Sequence, residues 1–200
     1  MRVIGLLGGV ASGKSLVARQ LAALGAGVLD ADRAGHEVLR LPQVEAAARG
    51  RWGAAPFGPD GHIDRARLSR IVFAEPPGGP RERQYLEQLT HPEIGRLLQQ
   101  QAAALEAAGT PLAVLDAPLI LEAGWDTLCE RFVFVDAPRA ARLARALGRG
   151  WTEEDFAVRE GVQESLDLKR SRADVMIDNS GSPQRTNAQV EHFWHSLFPR

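Results

Sequence analysis

The run Gly8-Gly9-Val10-Ala11-Ser12-Gly13-Lys14-Ser15 carries the most specific chemistry in the chain. It fits the pattern G-x-x-x-x-G-K-[ST], whose backbone N–H groups turn inward around a β-phosphate. In that chemistry the lysine reaches the β- and γ-phosphates and the hydroxyl ligates Mg²⁺. Gly8 to Ser15, with Leu16 opening a helix behind them, are thus expected to seat ATP, with Lys14 as its cation and Ser15 as a metal ligand. Glycine fills 20 of 200 positions but lysine only two, Lys14 and Lys169, so chance supplies about 0.001 matches to the pattern. A secretory leader is the competing reading of Arg2 and the apolar run after it. That run is short and broken by glycines, and cleavage near Val10-Ala11-Ser12 would destroy the motif.

Moving a phosphoryl group also needs a carboxylate for the acceptor hydroxyl and further positive charge. Asp32, in Asp30-Ala31-Asp32, is the candidate carboxylate; a helix N-cap is its alternative role, and the two are compatible. Asp116 closes an apolar strand and could support Mg²⁺ directly or through water, or simply end the strand ahead of Pro118. Seven arginines fall between Arg139 and Arg172, of which Arg142, Arg145 and Arg149 share a helical face. One reading is a solvated face paired with Glu153, Glu154, Asp155 and Glu160; the other is a mobile cationic lid. Arg142 is expected to be a solvated member of that face.

These residues need elements to position them. Apolar runs predict strands at Arg2–Leu7, Gly27–Asp30, Leu112–Asp116, Phe132–Asp136 and Val175–Asp178, alternating with helices at Asp32–Leu39, Arg139–Leu147 and Pro183–Leu197. Such alternation means an α/β fold, a parallel sheet covered on both faces, with ligands beyond the carboxyl ends of the strands. Four strands end in aspartate (Asp30, Asp116, Asp136 and Asp178), which leaves open which of them face a ligand. From about Pro56 to Gly109 only helical patterns occur, interrupted by a Pro76–Pro80 loop. The expected organisation is one domain, 1–200, with core segments 1–55, 110–138 and 173–200, a helical insertion 56–109 and a lid 139–172.

Composition sets the frame. Two hundred residues at 44% apolar content suit one sizeable core. A net charge of −1 gives no electrostatic footprint for nucleic acid or an anionic membrane. No apolar run reaches the ~20 residues of a spanning helix. The one cysteine, Cys129, excludes an internal disulfide and a cysteine-based zinc cluster. A cytoplasmic protein without membrane or nucleic-acid partners is expected, and no obligatory protein partner is implied.

Taken together, the segments resemble the bacterial dephospho-CoA kinase family almost end to end. The likeness runs through Ile4–Ser15, Asp30-Ala31-Asp32, His91-Pro92-Glu93-Ile94, Asp116-Ala117-Pro118-Leu119-Ile120-Leu121-Glu122, Arg170–Asp174 and Ile177-Asp178-Asn179-Ser180-Gly181. Departures are Leu7, Ala11 and Gly35, together with a lid one residue short before Gly150, which exchanges the expected places of Arg145 and Arg149. The resemblance implies a P-loop kinase-like three-layer fold and transfer of the γ-phosphoryl of ATP to the 3′-hydroxyl of dephospho-CoA, with Mg²⁺. It gives Asp32 the hydroxyl proton and Arg145 and Arg149 the transferring group. Asn179 and Gly181 would flank the adenine, and His91, Pro118 and Leu119 would lie on the acceptor side. Rival readings are a P-loop kinase for a nucleoside monophosphate or shikimate, and a GTP-dependent regulatory module. The last would need an N-K-x-D motif, and neither lysine lies in one.

Overall fold

Near-continuous apolar runs build the centre of the molecule, because a parallel strand is buried on both faces. In a computed structural model, which describes residues 1–198, β1 (Arg2–Leu7) is buried from Val3 onward. The chain continues through α1 (Lys14–Ala23), β2 (Gly27–Asp30), α2 (Ala31–Val38), α3 (Pro42–Trp52), α4 (Arg65–Val72), α5 (Gly78–Ala107) and β3 (Leu112–Asp116). A 3₁₀ turn, Trp125–Leu128, leads to β4 (Arg131–Asp136), α6 (Arg139–Leu147), α7 (Glu153–Gly161), α8 (Leu166–Ser171), β5 (Val175–Asp178) and α9 (Pro183–Leu197).

The five strands form one parallel sheet in the order β2-β3-β1-β4-β5. The chain fills the β2–β3 side of β1 before crossing to β4 and β5, so the order reverses at β1, where α/β sheets open a crevice for ligands. Register places Asp30 beside Asp116 and Asp136 beside Asp178 along the carboxyl edge. One core joins Ile4, Leu6, Val114, Val133, Val135 and Ile177 of the sheet to Val17 and Leu21 of α1 and Val190 and Phe193 of α9.

By contacts the chain divides into two compact units, residues 1–30 with 101–200, and residues 31–100. The sheet belongs to the first. The second holds α2 to α4 and most of α5. Within it Glu82 accepts from the Arg51 guanidinium at 2.8 and 2.9 Å and from Trp52 Nε1 at 2.7 Å. Asp64 caps α4 by accepting from the Arg67 amide at 2.9 Å.

One local expectation fails here. The Pro76–Pro80 segment is only partly loop, because Gly78, Gly79 and Pro80 already form the first turn of α5, where a proline's missing N–H costs nothing. His91 and Pro92 both lie inside the 30-residue α5. A helix of that length tolerates the one backbone bond that Pro92 removes.

Candidate active site

Positive φ angles at Gly8 (+144°) and Gly13 (+104°) shape the loop between β1 and α1. A side chain at Gly13 would place its Cβ 2.1 Å from Asn179 Nδ2, and one at Gly8 would meet the Val135 carbonyl at 2.6 Å. Only glycine fits either place. Gly13 is the N-cap of α1, so Lys14 and Ser15 open the helix. The first-turn amides of a helix lack intrahelical acceptors and, with the helix dipole, make a seat for an anion.

Lys14 turns back onto this loop. Its Nζ donates to the Gly8 and Gly9 carbonyls at 3.0 and 3.1 Å. Burial pushes its pKa down to about 8. Asp116 opposes that shift, Lys169 adds to it, Glu122 opposes it and Arg142 adds to it. Asp116 therefore lies within electrostatic reach of the phosphate-loop lysine. Arrival of a polyanion would raise that pKa again and favour the charged form of Lys14.

Helices α6 and α7 pack against the loop itself. Val10 packs with Ala146 of α6 and Phe156 of α7, and all three are buried. Arg142, expected in solvent, is only 2% exposed. Its Nε and Nη1 donate to the Ala137 and Val10 carbonyls, both at 3.3 Å, and Nη1 pairs with Glu160 at 2.8 Å. The helical-face argument holds for Arg142 and Arg145 but not for Arg149, which falls beyond the end of α6, and the face it describes lies against the loop rather than in solvent. Although burial works against the charge of Glu160, Arg139 and Arg142 hold its carboxyl below the usual range.

Arg145 reaches the loop from the same helix, donating to the Ser12 carbonyl at 3.0 Å and to the Asn179 carbonyl. Asn179 is buried; its Nδ2 donates to the Ser12 carbonyl at 2.7 Å and its Oδ1 accepts from Thr186 Oγ1 at 2.8 Å. Asn179 and Arg145 thus brace the phosphate loop. Arg149 lies exposed beyond the end of α6, and Gly181 lies exposed before α9, near Arg185.

A cavity of about 610 Å³ opens beside Gly9, bounded by the end of β4, Arg142 of α6, Glu160 of α7, and Gln163 to Leu166. Of the four strand-end aspartates, Asp136 is paired with Arg170 at 3.3 Å. Asp178 accepts from the Ser180 amide at 2.8 Å, and its bonds with Ser180 hold its carboxyl below the usual range. These two have structural employment. Pro118 is exposed and Leu119 half-buried in the turns beyond β3.

For a divalent cation the residues present fit. Ser15 offers an exposed hydroxyl at the start of α1, and Asp116 a carboxylate on the strand beside β1. The buried Ser12 Oγ has no hydrogen-bond partner among the described residues. No group of three or more His, Cys, Asp or Glu side chains could hold a metal among those residues. Mg²⁺ keeps waters and phosphate oxygens, so it asks for only one or two protein oxygens.

Asp32 and His91 belong to the second unit. Asp32 is exposed and sits in the first turn of α2, one residue inside the helix that starts at Ala31, so it is not the N-cap. His91 is half-buried in α5. Sequence reasoning missed the side-chain role of Val10, the burial of Arg142 and the pair formed by Lys169 and Glu122. The scarcity of lysine was the one available pointer to Lys169.

Comparison with known proteins identifies the family. The family model for dephospho-CoA kinase matches residues 2–184. A dephospho-CoA kinase of Symbiobacterium thermophilum is 41% identical, covering 98% of this chain and 81% of its own. One of Geobacter sulfurreducens is 37% identical, covering 100% of both. A crystal structure from Thermus thermophilus, 32% identical, superposes with a TM-score of 0.81 over 98% of this chain and 97% of its own. For fold alone, a dephospho-CoA kinase from Campylobacter jejuni gives a TM-score of 0.72 at 23% identity over 98% of each chain. With this coverage and identity, the chain belongs to the dephospho-CoA kinase family.

Proposed function

We infer that this chain is a kinase that transfers the γ-phosphoryl of ATP to the ribose 3′-hydroxyl of dephospho-CoA, giving coenzyme A and ADP. The observation that carries the inference is the family match over residues 2–184, on a chain whose phosphate loop is complete. The nucleoside monophosphate, shikimate and regulatory readings are not favoured.

The chemistry divides among named groups. The acceptor oxygen bonds to the γ-phosphorus as the bond to the β,γ-bridging oxygen breaks, and the hydroxyl proton goes to a carboxylate. Asp32 is proposed for that proton on the strength of its motif. Lys14 and the loop amides bear the charge of the β- and γ-phosphates. Ser15, with Asp116 directly or through water, would hold Mg²⁺, which neutralises charge building on the phosphate oxygens. Arg145 braces the Ser12 carbonyl, and with Arg149 it is proposed for the transferring group. Asn179 and Gly181 are proposed for the adenine side, and His91, Pro118 and Leu119 for the acceptor. Segments 56–109 and 139–172 are proposed as acceptor bed and lid. No helix among the described residues is long and apolar enough to cross a membrane; a cytoplasmic site of action is proposed.

The test is ADP release with dephospho-CoA, AMP and shikimate offered separately, with the phosphorylated product identified by mass. Release with dephospho-CoA alone, and coenzyme A as product, is the expected result. Turnover on AMP or shikimate without turnover on dephospho-CoA would replace the reading.

A further inference from the structure

The two lysines of this chain meet at one place in the fold. Lys14 opens α1, and Lys169 lies in α8, its side chain only 2% exposed. The charges of Lys169 and Glu122 both fall on Lys14, which puts all three beside the phosphate loop. A fully buried lysine in a chain that otherwise uses arginine needs a reason, because a buried ammonium must be paired to be tolerated.

Glu122 supplies the pairing. It lies past the end of β3, and its Oε1 accepts from Lys169 Nζ at 2.9 Å and from the Glu164 backbone amide at 2.7 Å. Lys169 Nζ also reaches Gln163 Oε1 at 3.4 Å. Glu122 therefore grips the chain at two points, the α7–α8 connection and α8, where the lid segment returns toward β5. Its second oxygen, Oε2, is buried with no hydrogen-bond partner among the described residues. Gln163 and Glu164 themselves line the cavity beside Gly9.

Stability alone explains this arrangement poorly. A buried ion pair seldom outperforms apolar side chains of the same volume, and an orphaned carboxylate oxygen adds a further cost. What the pair supplies is a fixed geometry between the end of β3 and the returning leg of the lid. We propose that Glu122 and Lys169 are positioning residues for phosphoryl transfer, anchoring the α7–α8 connection to the end of β3 so that the lid is placed correctly over the phosphate loop. They act through the lid and need not touch either substrate. The pair would thus be felt mainly in turnover, because ATP is seated by the loop before the lid matters.

The experiment compares Lys169→Met, Glu122→Gln and the double variant with the parent, so that parental activity tests the kinase reading and the variant-to-parent ratio tests the anchor. Each single variant should lower kcat by about 10²-fold, the cost of misplacing a group by about 1 Å, while KM for ATP changes less than about threefold. Amide exchange at Gln163 to Lys169 should rise in both. The double variant buries no lone charge, so its melting temperature should return toward the parent's while kcat stays low. Parental kcat in the double variant would overturn the proposal, since the pair would then serve only folding. Loss of ATP affinity in step with kcat would overturn it too. If neither single variant folds, Lys169→Arg joins the double variant: it keeps the charge and should retain at least about a tenth of parental turnover. Lower turnover at a parental melting temperature would count against the anchor.

Discussion

Arg142 Nη1 lies 2.8 Å from Glu160 Oε1 and 3.3 Å from the Val10 carbonyl, so one buried guanidinium ties α6 and α7 to the phosphate loop. A Cβ added to Gly9 would sit 2.7 Å from that same nitrogen. Replacing Arg142 by alanine removes hydrogen bonds that involve a charge and leaves the Val10 and Ala137 carbonyls without these donors. Each such bond is worth about 1.5–3 kcal/mol, and bonds sharing one side chain do not add. We expect Arg142→Ala to lower stability by about 2–3 kcal/mol and to weaken ATP binding as the loop loosens. Denaturant midpoints and nucleotide titration check this; an unchanged midpoint would return Arg142 to the solvated face.

Lys14 gives a prediction with a sign. Its folded pKa is about 8 against an ordinary 10.5, so between these values the unfolded chain holds a proton that the folded chain has released. Stability from this group therefore rises with pH from about 8 to about 10.5, and Lys14→Met should remove that part of the slope. ATP binding at pH 8 to 9 should take up a fraction of a proton, because the triphosphate restores the charge. Calorimetry in buffers of different ionisation enthalpy measures the uptake, and none would contradict contact between Lys14 and phosphate.

How far these features were legible follows from their range. The strands could be read because buried parallel strands are continuous apolar runs, and Leu112–Asp116 and Val175–Asp178 are found as expected. The loop could be read because its glycines answer a local demand, visible in the φ of Gly8 and Gly13. Arg142 could not, since α6 presents the same charged face whether it meets solvent or the loop; only packing of Val10 on Phe156 decides it. Glu122 was quoted within a motif, but its partner stands 47 positions away in Lys169, and no local spacing links them.

Asp32→Asn separates two roles. Asparagine keeps the shape and loses the proton acceptor. If Asp32 serves the acceptor hydroxyl, kcat should fall by roughly 10²–10⁴-fold with ATP affinity little changed. Its place inside α2, after Ala31, leaves only a modest helix-dipole contribution of about 0.3–1 kcal/mol to lose. Kinetics and thermal melting on the same protein decide, and parental turnover would take the carboxylate out of the reaction.

Asn179 braces the loop through the Ser12 carbonyl, so Asn179→Asp should turn a 2.7 Å donation into a repulsion between oxygens. We expect a stability loss of about 1–3 kcal/mol and weaker ATP binding, with kcat at saturating ATP reduced less than the affinity. Selective loss of discrimination between ATP and GTP, with loop stability kept, would instead mark Asn179 as a reader of the base.

The lid arginines now carry different expectations. Arg145 is engaged with the Ser12 and Asn179 carbonyls, whereas Arg149 is exposed beyond the end of α6. A side chain that braces the loop contributes before the reaction begins, so Arg145→Ala should weaken ATP binding and stability along with turnover. One that meets the γ-phosphoryl only as the lid closes stabilises the transition state alone. Arg149→Ala should then lower kcat by more than it raises KM for ATP. Lysine should rescue Arg149 only in part, because a point charge cannot reproduce a planar two-pronged contact. Pre-steady-state measurement of the transfer step with both alanine variants separates the cases. A fall in the transfer rate for Arg145→Ala alone, at full ATP occupancy, would leave the transferring-group role with Arg145 and remove Arg149 from it. Unchanged transfer in both would remove the arginines of α6 and its exit from the chemistry.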